Sequence, residues 1–224
     1  MTVLLVLFTL IIFLIADHFV QKTRRVRRPG VVWQPQSLRI PEGVSLAPNH
    51  TWSRKDKEGT TTLGLDELMG RLVGAIDEII LPPINASVTP ATAAFSIRQG
   101  GKTLSFAPHV AGRIVEVNSR VTKEPRLAQA QPYDEGWLIR VQPTNTTSRA
   151  TLTGNTARVW LQQQTDMVKE FLSARSSHAG LAFMQDGGLP AAGILSSFDE
   201  EVWREFQQRF ASLSDDPSNS RKEV

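Results

Sequence analysis

Between His50 and Pro143 no apolar run lasts more than a few residues before glycine, proline or asparagine interrupts it. That punctuation constrains the fold more than any other feature of the 224 residues. Ile79-Ile80-Leu81 stops at Pro82-Pro83, Ala94-Phe95-Ser96-Ile97 at Gly100-Gly101, and Ile114-Val115-Glu116-Val117 at Asn118. Trp137-Leu138-Ile139-Arg140-Val141 alternates as a half-buried strand does and is expected to end before Pro143. Short β-rich runs bounded in this way predict a small antiparallel barrel or sandwich. Within it, Asp66 to Gly74 reads as a short helix with Leu68 and Leu72 on one face.

Beyond Pro143 the period changes. Trp160, Met167 and Phe171, and likewise Leu161, Val168 and Leu172, recur at helical spacing and predict a helix packed on the β-rich part. Ser176 to Ser196, with Gly187-Gly188 and Pro190, reads as weakly structured. Ser197-Phe198-Asp199-Glu200 then has the form of a capping box, with Ser197 as the expected cap. Phe198, Val202, Phe206 and Phe210, with Trp203 beside them, form an apolar stripe read as core. The polar tail from Asp215 is expected to be disordered.

The N-terminus belongs to another solvent. From Val3 to Ala16 every residue but Thr9 is apolar, and Phe19 and Val20 extend the run past Asp17 and His18. Such a run has the roughly 20 residues a helix needs to cross ~30 Å of hydrocarbon. No basic region precedes it and no small-residue cleavage site follows it, so it reads as an uncleaved single-pass anchor. Lys22, Arg24, Arg25, Arg27 and Arg28 follow, and the positive-inside rule keeps that collar cytoplasmic. The expected placement is the cytoplasmic membrane, with the N-terminus out and the rest in the cytosol. The expected organisation is a transmembrane helix (1–21), a basic collar and Pro-rich linker (22–48), the β-rich domain (49–175), a linker with the capped helix (176–214) and a tail (215–224).

The collar also accounts for the charge. Residues 1–28 carry a net +4, so the remainder of a chain whose total is +3 carries −1. A near-neutral body lacks the basic face that nucleic-acid binding needs. The absence of cysteine excludes disulfides, thiolate catalysis and Cys-ligated zinc. His18, His50, His109 and His178 show no metal-ligand spacing. Asp77-Glu78 and Asp134-Glu135 are sequence neighbours that point apart and read as solvated acids. Ser105 and His109 lack the nucleophile elbow of a hydrolase. The sequons at Asn49, Asn85 and Asn145 read as chance with the domain in the cytosol.

One stretch is highly specific. Ala107-Pro108, Gly112, Ile114-Val115-Glu116-Val117-Asn118, Pro132-Tyr133 and Glu135-Gly136-Trp137-Leu138-Ile139 resemble the glycine cleavage system H protein, a small lipoyl-carrier domain. His50-Thr51-Trp52, Leu63-Gly64-Leu65, Leu72-Val73-Gly74 and Ile79-Ile80-Leu81-Pro82 extend the resemblance over roughly residues 50–172. It implies a mainly β fold with flanking α: a lipoyl/biotinyl-type barrel-sandwich hybrid, here after a transmembrane helix and before C-terminal helices. None of the matched residues does chemistry in that family; they build the platform for a lipoyl-lysine.

That lysine stands in a motif of the form E-S-V-K-A on a β-hairpin. Here the corresponding stretch is Ile97-Arg98-Gln99-Gly100-Gly101-Lys102-Thr103. Counting back from Ala107-Pro108 reaches Gly100, and counting forward from Leu81-Pro82 reaches Gly101. Gly100-Gly101 is a favoured pair for a two-residue hairpin turn. Lys102 falls one or two residues beyond the family position, and the preceding acid is missing. The Gly-Gly in place of the lysine, together with the N-terminal run, leads to the expectation of a membrane-tethered, non-catalytic binding or scaffold module with no cofactor and a protein partner. The alternative is a genuine carrier with lipoate on Lys102, which would accept an aminomethyl group and be recognised by a glycine decarboxylase-like enzyme. A third expectation is an adaptor whose C-terminal helix docks a partner at the membrane.

Overall fold

The computed structural model describes residues 38–175 and 188–213. The span expected at residues 1–21, the collar and the tail from Asp215 lie outside them. Among the described residues no helix is long and apolar enough to cross a membrane.

In chain order the elements are β1 (Ser45–Leu46), β2 (Thr51–Lys55), β3 (Thr61–Leu65), α1 (Glu67–Val73), β4 (Glu78–Ile80) and β5 (Ser87–Val88). Then come β6 (Phe95–Gln99), β7 (Lys102–Phe106), β8 (Val110–Val117), α2 (Ser119–Lys123), α3 (Leu127–Ala130), β9 (Ile139–Ser148) and β10 (Leu152–Thr153). The long helix α4 (Gly154–Arg175), a 3-10 turn (Ile194–Ser197), α5 (Glu200–Phe206) and a π turn (Gln207–Ala211) complete the described chain. The strands form a seven-stranded sheet, in the order β10-β1-β2-β3-β9-β8-β5, and a three-stranded sheet, β4-β6-β7. The fold is mainly β with flanking helices, as the punctuation predicts.

Local chemistry sets the boundaries. Asp66 caps α1 by accepting from the Met69 amide at 2.8 Å, and Gly74 closes it at φ 75°. Asn118 ends β8 by capping α2, while its amide nitrogen donates to the Glu135 and Trp137 carbonyls at 2.8 and 2.7 Å. That clamp holds the start of β9 beside the end of β8. Leu63, Ile97, Leu104, Phe106, Ile114, Ile139 and Val141 are all fully buried among the strands. Burying a side chain of this size stabilises by roughly 1.5–3 kcal/mol. Phe95 and Phe106 stack across β6 and β7 with centroids 5.5 Å apart.

Three boundaries differ from expectation. The sheet begins upstream of residue 49: β1 pairs with β2 and β10, and Val44, Leu46 and Ala47 are buried. Strand β9 does not stop before Pro143 but runs through it to Ser148, with Pro143 opposite Gly112 of β8. Pairing of β9 with β3 ends at Val141. Beyond that point β9 behaves as an edge beside an irregular stretch of β8, where proline is tolerated. Finally, α5 is capped by Asp199, whose carboxylate accepts from the Val202 amide at 3.0 Å, rather than by Ser197. Ser197 is already committed to the preceding 3-10 turn, which the expectation of a weakly structured stretch to Ser196 had not anticipated.

Helix α4 buries Leu161, Val168, Phe171 and Leu172, as its period predicts, with Trp160 and Met167 partly buried beside them. Its Phe171 meets Phe206 and Phe210 edge-on, at 6.0 and 5.4 Å between centroids. The stripe on α5 is therefore core: Trp203, Phe206 and Phe210 are each at most 2% exposed.

Candidate functional site

The β6–β7 hairpin is where the sequence places the family's functional position, and its geometry follows from a two-residue turn. Gln99 pairs with Lys102, and Gly100 and Gly101 occupy the turn at φ 55° and 81°. Positive φ at both central residues is the type I′ arrangement that matches strand twist. The Gly100 amide donates to the Asp77 carboxylate at 2.7 Å, and the Asp77 amide to the Arg98 carbonyl at 2.9 Å. Glu78 pairs with Arg98 at 2.7 Å on the adjoining strand. Both side chains are about half exposed, so this pair contributes little. The acids of Asp77-Glu78 thus brace the hairpin.

Alternation fixes where Lys102 points. In β6 the buried positions are Phe95, Ile97 and Gln99, and in β7 they are Leu104 and Phe106. Lys102 shares their parity and so lies on the inward face of the three-stranded sheet, at the first position after the turn. The C-terminal segment covers that end. The Lys102 ammonium donates to the Phe198 carbonyl, and to that of Ser196 at 3.4 Å. It also sits 5.3 Å from the centre of the Trp203 ring, a cation–π contact. Trp203 is itself fixed, because its indole N–H donates to the Leu195 carbonyl at 2.7 Å.

The edge of β7 is held by the same segment. Gln207 accepts from the Ser105 amide at 2.6 Å and donates to the Ser105 carbonyl at 2.7 Å. One side-chain amide thereby satisfies both backbone groups that a further strand would use. On the other flank, Arg71 of α1 donates to the Pro190 carbonyl at 2.7 Å and the Gly193 amide to the Arg71 carbonyl at 2.8 Å. There the backbones touch: a Cβ on Gly74 would stand 2.3 Å from the Cα of Gly193. Sequence reasoning found Lys102, Gly100 and Gly101 but missed Gln207 and the carbonyls of Ser196 and Phe198. Trp203 was legible only as part of an apolar stripe.

The remaining candidates fall elsewhere. His50 and Asp66 form a pair at 2.7 Å with both side chains fully buried, and Trp160 lies over the imidazole at 5.1 Å. Since Asp66 also caps α1, this pair joins the turn before β2 to the helix. The Ser105 hydroxyl is bonded to that of Ser96 at 2.9 Å, not to His109. Burial pushes the His109 imidazole down to about 4, so it is neutral at physiological pH. Burial pushes the Tyr133 phenol up, assisted by the nearby Asp66 charge. Asn49, one of the sequon residues, is fully buried and donates to the Ala107 carbonyl at 2.9 Å. Glu135 of the second acid pair bonds Arg120 at 3.0 Å. Among the described residues no three His, Asp or Glu side chains converge as a metal site would require.

With this geometry in hand, known proteins supply the context. Residues 45–165 match the family model described as "Glycine cleavage H-protein". The mitochondrial glycine cleavage system H protein of Flaveria trinervia is 32% identical over 118 residues, covering 53% of this chain and 71% of its own. The glycine cleavage system H protein of Salmonella arizonae is 30% identical over 120 residues, covering 53% of this chain and 92% of its own. The crystal structure of a glycine cleavage system H protein from Mycobacterium marinum superposes with a TM-score of 0.50 at 22% identity. It covers 55% of this chain and 99% of that one, a likeness of fold. The segment that covers Lys102 lies beyond the matched residues.

Proposed function

Because the chain belongs to the glycine cleavage H-protein family, we propose that it is a membrane-tethered binding module that keeps the family scaffold and carries no lipoyl arm. H proteins are lipoyl carriers of the glycine cleavage system and are not themselves catalytic, and this chain is likewise no enzyme on its own. The family normally carries lipoate on a lysine and works with glycine cleavage enzymes such as the decarboxylase.

The observation that carries the reading is the state of the hairpin. Its tip is Gly100-Gly101, which offers no attachment atom, and its lysine lies inward with its ammonium on two carbonyls and an indole. A lipoyl-lysine has to reach out from the turn to meet a ligating enzyme and then a partner's active site. The residues present do not fit that requirement. The tether rests on the apolar run at residues 1–21 and its basic collar. Recognition by a protein partner then falls to the scaffold surface.

The test is mass spectrometry on protein from its native host, taken from carbonate-washed membranes. The expected result is protein retained in the membrane and an unmodified peptide containing Lys102, in cells whose other lipoyl proteins are modified. A lipoyl mass on that peptide would overturn the reading. The chain would then be a tethered carrier using Lys102, with a glycine decarboxylase-like enzyme as partner. Recovery in the wash would remove the tether.

A further inference from the structure

We infer that residues 190–213 are a constitutive guard that closes the β6–β7 hairpin to modification and to strand pairing. The inference rests on the reading of the hairpin as armless and adds the device that keeps it so. Four residues act together. Phe198 and Ser196 supply the carbonyls that take the Lys102 ammonium, and Trp203 supplies the ring beneath it. Gln207 supplies the amide that takes the outward backbone groups of Ser105.

The Gln207 contact has a specific meaning. In the three-stranded sheet β7 is the outer strand, and its inward hydrogen bonds go to β6. The outward amide and carbonyl of Ser105 are what an added strand would pair with. Gln207 offers one acceptor and one donor to that pair of groups, so it occupies the edge at the point where a neighbouring strand would bond. An extended peptide can then pair along β7 only by displacing it.

The guard is part of the fold rather than a loosely held lid. Lifting it would expose Leu195, Trp203, Phe206 and Phe210, each at most 2% exposed, and would separate Phe171 from both phenylalanines. It would also break the contact between Gly74 and Gly193 and the bonds from Arg71 and Gly193. A segment with that many buried partners opens rarely, and the partly buried Lys102 ammonium stays engaged on its two carbonyls and the indole ring.

Amine labelling measures this without any unidentified ligand. The full chain in detergent is treated with limiting N-hydroxysuccinimide acetate, and acetylation is followed peptide by peptide. Lys57 and Lys123, both exposed, serve as internal references. Lys102 should label about tenfold more slowly than either, as expected for a partly buried ammonium held on two carbonyls and a ring. In Gln207→Ala and in Trp203→Ala, each checked for retained circular dichroism, the gap should narrow, and more in Trp203→Ala. If Trp203→Ala fails to fold, Trp203→Leu, which keeps apolar bulk but removes the ring face from Lys102, decides. Labelling of Lys102 as fast as Lys57 in the unaltered chain would overturn the guard while leaving the armless reading intact. Protection unchanged in a folded variant would place the block elsewhere and overturn it too. A lipoyl group on Lys102 in the cell is the separate failure, that of the armless reading.

Discussion

Two pairs of glycines, one in the β8–β9 seam and the turn leading into it, the other at the hairpin tip, serve opposite purposes. Gly112 and Gly136 adopt ordinary backbone angles but have no room for a side chain. A Cβ on Gly112 would stand 2.3 Å from the Gln142 carbonyl oxygen, and one on Gly136 would stand 2.4 Å from that of Leu127. Gly100 and Gly101 have the reverse situation, with positive φ and nothing within 4 Å of an added Cβ. In the seam glycine answers to packing, and at the tip it answers to the dihedral. The seam is where the chain follows the H-protein pattern.

The comparison breaks most easily at Gly136. Its added Cβ would also meet the Gln131 carbonyl oxygen at 2.7 Å and the Ala128 Cα at 2.8 Å, all backbone atoms of the α3 region. None of these can rotate away, so Gly136→Ala has to push the helix off the start of β9. The expected loss is about 3 kcal/mol, the range of overpacking against a rigid neighbour. Urea denaturation measures it, and a loss under about 1 kcal/mol would mean that the short helices yield freely and that the seam is not tight.

The same contrast explains what could be read from the sequence. Gly112, Asn118, Gly136 and Trp137 sit in a stretch whose neighbours in sequence are largely its neighbours in space, so pattern and structure agree there. Pro143 misled because its tolerance depends on which strands flank β9 at that point, a fact of topology rather than of local sequence. Ser197 misled because the 3-10 turn preceding α5 takes it first, leaving Asp199 to cap. Gly100 and Gly101 occupy the two-residue turn that such a pair favours. The fate of Lys102 was illegible, because its partners lie 94 and 96 residues away. Gln207, 102 residues from Ser105, carries no local signal that it will act as a strand edge.

A pH measurement sharpens the description of the seam, since His109 stands just before β8 and is 2% exposed. Its imidazole sits at about 4 in the folded chain against 6.5 in its ordinary state, and burial is the cause. The folded pKa is depressed, so the unfolded chain takes up the proton first as pH falls. Stability is therefore full above about pH 6.5 and falls progressively toward pH 4, by at most about 3 kcal/mol from this group. Glu67, pushed up by burial, opposes that trend. In His109→Gln the fall between pH 6.5 and 4 should be shallower than in the unaltered chain. Parallel pH profiles would assign the acid sensitivity to other groups.

The smallest effect belongs to the tip, and it is the most discriminating. Gly101→Ala introduces the same methyl group as Gly136→Ala, but into open space at φ 81°. Only the dihedral penalty remains, roughly 1 kcal/mol for a non-glycine residue forced into the left-handed region. Gly100→Asn should cost close to nothing. Asparagine is favoured at the first position of a type I′ turn, and Asn85 already adopts φ 71° in this chain. In neither variant should the labelling rate of Lys102 change, because the guard holds that side chain through Phe198, Ser196 and Trp203 and not through the turn. If Gly101→Ala were as damaging as Gly136→Ala, the tip would have to be crowded rather than open. If Gly100→Asn released Lys102, the turn and not the C-terminal segment would be what turns the lysine inward.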